Sequence, residues 1–330
     1  MVQDNTWFDC DDETKLFIRR WYPDAKPEYA ASKPIAVLHI VHGMAEHSLR
    51  YQRVAEKLTG NNIEVWAADQ RGHGNTADPN KNQPGKGGKI GHCADTGGFD
   101  RVTRDVHAIN TAIRKARGNI PLVLMGHSWG SFITQNYIEQ YSDNPDFIDG
   151  CILSGTRGPG GFVIKAGLPM MNLFAFFSGS RNGSKAARAL ADGPYSRPFR
   201  PNRTQFDWLS RDEQEVDAYV NDPLCGFLCS TGFYRDMIGG LNRIHKPREM
   251  SRIKTGLPVY VFCGNADPVG DMGLSPTALV NKYRSLGIKD LEFTLYPGAR
   301  HETLNETNRE EVMDNLVSWI KRHYGLSAGE

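Results

Sequence analysis

Charge of one sign is the first thing this chain lacks. Its 330 residues carry 39 Lys and Arg against 38 Asp and Glu, a formal net charge of +1. Such a balance gives no electrostatic reason to expect a nucleic-acid partner, and none is expected. Long apolar runs are missing too. The nearest approach to the ~18 residues of a membrane span is "FVIKAGLPMMNLFAFF" (162–177), interrupted by Lys165, Pro169 and Asn172. The opening stretch "MVQDNTWFDCDDETKLF" is acidic and has no basic-then-apolar signal pattern. Cysteine is sparse, with six residues scattered from Cys10 to Cys263. The one close pair, Cys225 and Cys229, lacks the second pair of a zinc site. Free thiols in a reducing compartment fit this usage better, so a cytoplasmic protein is expected. The ten histidines stand singly, and no metal is expected. "PGKGGKIGH" (84–92) looks like a phosphate loop but lacks its spacing and follows no strand. No cofactor is expected. Nothing in the sequence bears on oligomeric state.

What is present is a rhythm. Continuous apolar runs such as "PIAVLHIVHG" (34–43) and "IEVWAADQRGHG" (63–74) suit strands covered on both faces. Between them "SLRYQRVAEKLTGN" (48–61) has helical spacing, and Val102, Val106, Ile109 and Ile113 share one face of a helix over 99–118. A strand at 121–126, a helix at 130–141 and a strand at 150–156 follow. An earlier strand is expected at 15–23. Repeated β-α-β units predict a mostly parallel sheet with helices on both faces. After Thr156 the rhythm stops for ~100 residues, far longer than an ordinary connection. It resumes with a strand at 258–263, a helix at 275–287, a strand at 291–296 and a helix at 307–323. The expected organisation is a core of 1–156 and 251–330 interrupted by an inserted segment, 157–250.

The chemistry is sought around Gly126-His127-Ser128-Trp129-Gly130. A serine between glycines where a buried strand turns into a helix is either a plain turn or a nucleophile elbow. A serine hydroxyl needs a base, and the base needs a group that fixes its tautomer. In α/β sheets such groups gather at the carboxyl ends of strands. Asp267 follows the strand 258–263 and His301 follows the strand 291–296. The order Ser128, Asp267, His301 is that of an α/β-hydrolase triad. Asp271, four residues beyond Asp267, is the competing acid. Each residue also has a plainer reading: Asp267 can start a turn before Pro268, and His301 can sit in a solvated loop. An oxyanion hole requires backbone N–H donors. They are expected from Trp129 and from Met44, in the loop "HGMAEHSLRY" after the strand 34–41.

Together, "HGMAEHSLRY", "ADQRGHGNT", "GHSWGS", "VDAYVNDPLCG", "GNADPVG" and "PGARHETLNE" resemble the monoacylglycerol lipase and bacterial lysophospholipase-like branch of the α/β-hydrolases. The likeness spans roughly residues 13–323 and is weakest between 157 and 200. It implies an α/β-hydrolase fold with an inserted helical lid, and a serine esterase acting on a single-chain lipid ester. It implies the same triad and oxyanion donors, with Glu46 and Arg50 near the polar head of an acylglycerol and His127 beside the nucleophile. Trp129 departs from the mammalian pattern, which has Met, and the insertion is rich in Gly and Arg; both bear on substrate choice. A small-ester hydrolase, an aminopeptidase-like hydrolase and a non-enzymatic binding module are the alternatives. In the insertion, Phe174, Phe176 and Phe177 are expected to line an acyl channel, or else to form the lid's own core. Six basic residues between 181 and 203, against Asp192 alone, either attract anionic headgroups in a transient membrane-surface contact or form a solvated face.

Overall fold

The computed structural model describes residues 1–23, 33–77, 89–160, 162–191 and 193–325. Most of the glycine-rich stretch 84–92 and the acid Asp192 lie outside the described residues. Eight strands form one sheet: β1 (Val2–Asp9), β2 (Lys15–Tyr22), β3 (Ala36–Val41), β4 (Ile63–Asp69), β5 (Leu122–His127), β6 (Gly150–Ser154), β7 (Val259–Gly264) and β8 (Leu291–Tyr296). Their order is β1-β2-β4-β3-β5-β6-β7-β8. The pairs β1–β2 and β2–β4 are antiparallel, and the pairs from β4 to β8 are parallel. Every residue of β3 to β7 is buried, as strands sandwiched between helices require. Strand β1 escapes the sequence reading because its outward face carries Gln3, Asn5 and Asp9 with Trp7 as its one apolar residue, and its other face is only half-buried. An edge strand needs no continuous apolar run.

The pleat sends alternate side chains into two cores. On one face Val37, Leu122, Leu124, Leu153 and Val261 meet Val102, Val106, Ile109 and Ile133 of the helices Gly98–Arg117 and Trp129–Gln140. On the other face Leu38, Ile40, Val65, Met125 and Phe262 meet Val54 and Leu58 of the helix Gln52–Thr59, and Leu316 and Ile320 of Arg309–Tyr324. The predicted helices are therefore present, shifted by one to four residues at their starts. Between β6 and β7 come the helices Phe162–Ser178, Lys185–Ala191, Glu213–Asn221, Thr231–Ile244 and Pro247–Met250. Thr231–Ile244 packs on the core, with Phe233 against Trp129 and Arg243 paired to Asp100.

All six cysteines are buried, and none is in a disulfide. Among the described residues no helix is long and apolar enough to cross a membrane. What matters for the site is the strand order. The chain leaves β3 toward β4 and leaves β5 toward β6, so the loops after these neighbouring strands diverge. Such a switch point opens a crevice at the carboxyl ends.

Candidate active site

Ser128 follows β5 with φ 52° and ψ −120°. A side chain in that region is strained, so the surroundings must hold it there. Its N–H donates to the Ser154 carbonyl at 2.9 Å, and its carbonyl accepts from the Ser131 N–H at 2.8 Å. The flanking glycines have a separate reason. A Cβ on Gly126 would collide with the Gly130 carbonyl, and one on Gly130 with the Val41 carbonyl. The strand, the turn and the helix fit together only without those atoms.

His301 Nδ1 lies 2.9 Å from Asp267 Oδ2. The other Asp267 oxygen accepts the Val269 N–H at 2.8 Å, and the carboxylate is wholly shut off from solvent. Nδ1 beside a carboxylate is the protonated nitrogen, which leaves Nε2 as the acceptor. Burial alone would depress the imidazole pKa, but the Asp267 carboxylate outweighs it and raises the value above 6.5. Asp271, the competing acid, is exposed and pairs with Arg157 at 3.2 Å. Ser128 and His301 line one cavity with Gly43, Met44, Glu46 and His127, with an empty volume of about 460 Å³ that includes its open mouth. Among the described residues no hydrogen bond joins the Ser128 hydroxyl to His301; such contacts commonly tighten only when substrate binds.

The Met44 and Trp129 N–H groups have no protein acceptor among the described residues. A relay that the sequence reading missed ties their loops together. The Gln70 carboxamide accepts from Trp129 Nε1 at 2.9 Å and donates to the His42 carbonyl at 2.6 Å. Its backbone N–H donates to His42 Nε2 at 2.9 Å. Gln70 follows β4, and nothing local in "ADQRGHG" marks its side chain for this task. The Trp129 indole packs against Phe99 and Phe233 and does not line the cavity.

Glu46 and Arg50 fall together, and their charges are spent on protein groups. The Glu46 carboxylate accepts the Gly43 N–H at 2.5 Å, the Tyr51 hydroxyl at 3.0 Å and an Arg50 N–H at 2.7 Å. Arg50 also grips Glu302 with two bonds of 2.6 Å. Burial pushes the Glu46 carboxyl up, but Arg50 wins and holds it at about 2. Glu302 is likewise held below its usual value against burial, again by Arg50. Glu46 borders the cavity, whereas Arg50 stands behind it, against the Tyr219 ring. His127 also borders the cavity, with Nδ1 3.1 Å from the Ser154 hydroxyl. Burial, then the neighbouring His301, push its pKa down to about 4, so it is neutral near pH 7.

The far wall belongs to the inserted stretch: Arg188, Phe206, Trp208, Tyr219, Phe227 and Tyr234. The expected channel residues are elsewhere. Phe176 and Phe177 are 82% and 77% exposed, and neither they nor Phe174 line the cavity. The inward face of their helix is taken by Met171 and by Gly167, which rests on Ile238. Part of the basic run is neutralised by acids outside it, Arg181 by Asp95 and Arg203 by Asp217. Among the described residues two clusters have the donor set of a metal site, the exposed-to-half-buried Asp290, Glu292 and His323 and the more buried His47, Asp222 and Cys225, the ligand atoms of each within 4.8 Å of one another. His47 already bonds Asp222 at 2.8 Å, and its Nδ1 is buried with no partner. A metal-bound histidine ordinarily donates its other N–H to an acceptor, so the residues fit a metal poorly.

A strained serine after a parallel strand, with an Asp–His pair after the last two strands, defines an α/β-hydrolase. The hydrolase family described as serine aminopeptidase, S33 matches residues 32–308, and the chain belongs to it. Within that fold it falls in the monoacylglycerol lipase-like branch. It is 28% identical to the monoacylglycerol lipase of Mycolicibacterium smegmatis over 308 residues, 92% of this chain and 91% of that one. It is 27% identical to the monoglyceride lipase of Mus musculus, over 95% and 89% of the two chains. A carboxyl esterase from Bacillus coagulans, solved in complex with glycerol, superposes with a TM-score of 0.82 at 24% identity, covering 98% and 99%.

Proposed function

We propose that the protein hydrolyses a carboxylic ester of a single-chain lipid, a monoacylglycerol or lysophospholipid, through an acyl-enzyme on Ser128. His301 Nε2 takes the hydroxyl proton as Ser128 Oγ attacks the ester carbonyl. The Met44 and Trp129 N–H groups hold the oxyanion. On collapse the C–O bond breaks and His301 returns the proton to the leaving alcohol. Water, deprotonated by the same nitrogen, then attacks the acyl-enzyme and frees the fatty acid and Ser128.

The observation that carries this reading is the character of the cavity. Its outer wall is aromatic, which suits an acyl chain. An aminopeptidase needs a free carboxylate for a substrate amino group, and both Glu46 and Glu302 are ion-paired to Arg50. The names of the relatives support the same direction. In this reading residues 157–250 act as a lid. The exposed Met170, Leu173, Phe176 and Phe177 form a patch suited to transient contact with a lipid surface. The six buried cysteines, none of them in a disulfide, support a cytoplasmic setting.

The test is a comparison of purified protein on monoacylglycerols, lysophospholipids, p-nitrophenyl esters and aminoacyl amides, with Ser128→Ala as control. Preference for single-chain lipid esters, lost in Ser128→Ala, is expected. Preference for aminoacyl amides overturns the reading.

A further inference from the structure

Among the described residues the His301 ring has two aromatic neighbours. One is His127 of the core, with ring centroids 4.9 Å apart. The other is Trp208 of the inserted stretch, whose ring centroid is 5.1 Å away at an interplanar angle of 40°. Trp208 is 9% exposed and lines the same cavity as Ser128. Its place is set by backbone. The His301 N–H donates to the Trp208 carbonyl at 3.4 Å, and the Glu302 N–H to the Leu209 carbonyl at 2.8 Å. The Ser210 hydroxyl donates to the Asn305 carbonyl at 2.9 Å. Arg211 gives its backbone N–H and its Nε–H to the Glu306 carboxylate at 3.0 and 2.8 Å. Segment 208–211 is thus laced to segment 301–306 along its length. The Tyr195 ring rests on Trp208, with centroids 5.1 Å apart, and extends the contact into the insertion.

We propose that Trp208 is a positioning residue for the His301 base, holding the imidazole in place and favouring the imidazolium that forms when Ser128 loses its proton. The inference rests on the reading of His301 as that base. A cation within about 6 Å of an indole ring is attracted to its face, more strongly when water is excluded. His301 is 2% exposed, so the attraction is little screened. The charged and titratable groups around it are the Asp267 carboxylate, the Glu46 and Glu302 carboxylates that share Arg50, neutral His127, and Arg188, Tyr219 and Tyr234 on the outer cavity wall. Trp208 is the indole among these groups, and the insertion supplies it. The cavity wall that faces substrate therefore also conditions the base.

The experiment is the pH dependence of kcat/KM on a short soluble p-nitrophenyl ester, for the wild type, Trp208→Leu, Trp208→Phe and His301→Gln. Melting curves check that each variant folds. Trp208→Leu is expected to move the acid limb to lower pH by roughly half to one and a half units, since the imidazolium loses its partner. Its kcat should drop by about three- to tenfold with KM little changed. Trp208→Phe should restore most of both. A second readout needs no leucine variant: imidazolium beside an indole quenches its fluorescence. The wild type should show a component that titrates with the acid limb and is missing from both His301→Gln and Trp208→Phe. An acid limb unmoved in a folded Trp208→Leu, or no such component, overturns the proposal. Near-wild-type activity in His301→Gln is a different failure, that of the base assignment itself.

Discussion

His301 Nδ1 and Asp267 Oδ2 meet at 2.9 Å with both side chains closed to solvent, while Asp271 is spent on Arg157. The two acids are four residues apart in sequence, and their settings differ completely. Replacing Asp267 by Asn keeps the shape but favours the wrong imidazole tautomer, which costs about 10⁴ in kcat in a triad. A loss of that order is expected for Asp267→Asn and less than about tenfold for Asp271→Asn. Steady-state kinetics on one soluble ester decide between them, and the reverse ranking would move the acid to Asp271.

The pH profile follows from the same pair. In the proposed mechanism His301 must be neutral to accept the serine proton. Its pKa is raised above 6.5 because the Asp267 carboxylate outweighs burial. Activity is therefore low while the ring is protonated and climbs as pH rises through that raised value. The midpoint of the acid limb in kcat/KM should lie above 6.5 in the wild type. A limb well below that value would mean that another group titrates.

Arg50 holds two buried carboxylates at once, Glu46 and Glu302, with its own side chain only 11% exposed. Removing one partner of a buried ion pair leaves uncompensated charge and costs about 3–5 kcal/mol. Arg50→Met should lower the unfolding free energy in urea by an amount of that order. Glu46→Gln added to it should recover part of the loss. Because Glu46 also holds the Gly43 N–H, next to Met44, kcat should fall more than KM rises. A stable, fully active Arg50→Met would show that the network has no such role.

Glu139 stands on the inner side of the helix Trp129–Gln140, 2% exposed, and its Oε1 has no hydrogen-bond partner. Burial, then the nearby Glu249, push its carboxyl up to about 9. The folded state thus keeps a proton that the unfolded chain releases near 4.5. The sign follows: this contribution to stability is complete below about 4.5 and is lost as pH rises toward 9. Melting temperature should decline over that window, and Glu139→Gln should flatten the decline. Identical slopes in both proteins would remove Glu139 from the pH dependence.

The exposed rings of Phe176 and Phe177 touch each other edge to face, with centroids 5.3 Å apart. Burying one such side chain in a lipid interface contributes about 1.5–3 kcal/mol. Phe176→Ser with Phe177→Ser should weaken co-sedimentation with zwitterionic vesicles by at least about tenfold. Melting temperature and hydrolysis of a short soluble ester should stay near wild type, since neither ring lines the cavity. Unchanged vesicle binding would assign the patch another role.

The sequence by itself determined the parallel core and the places where chemistry could sit. Both are local properties. A strand covered on two faces must be apolar throughout, so β3 to β7 announce themselves residue by residue. Candidate residues at strand ends can be found once the strands are known, which is how Ser128, Asp267 and His301 stand out. Tertiary structure decided the rest, because partners distant in sequence leave no mark on the stretch that carries them. Only the fold shows that Arg50 turns from the cavity to Glu302, 252 residues away. Gln70, from the end of β4, reaches Trp129 after β5 by the same kind of long-range contact. Apolarity marks 162–177 as a surface that water disfavours, but packing chose which side chains lie inside. Met171 is buried, Phe176 and Phe177 face out, and the aromatic wall comes from Phe206, Trp208 and Tyr219. Composition can say that a segment seeks cover; only its neighbours determine which atoms receive it.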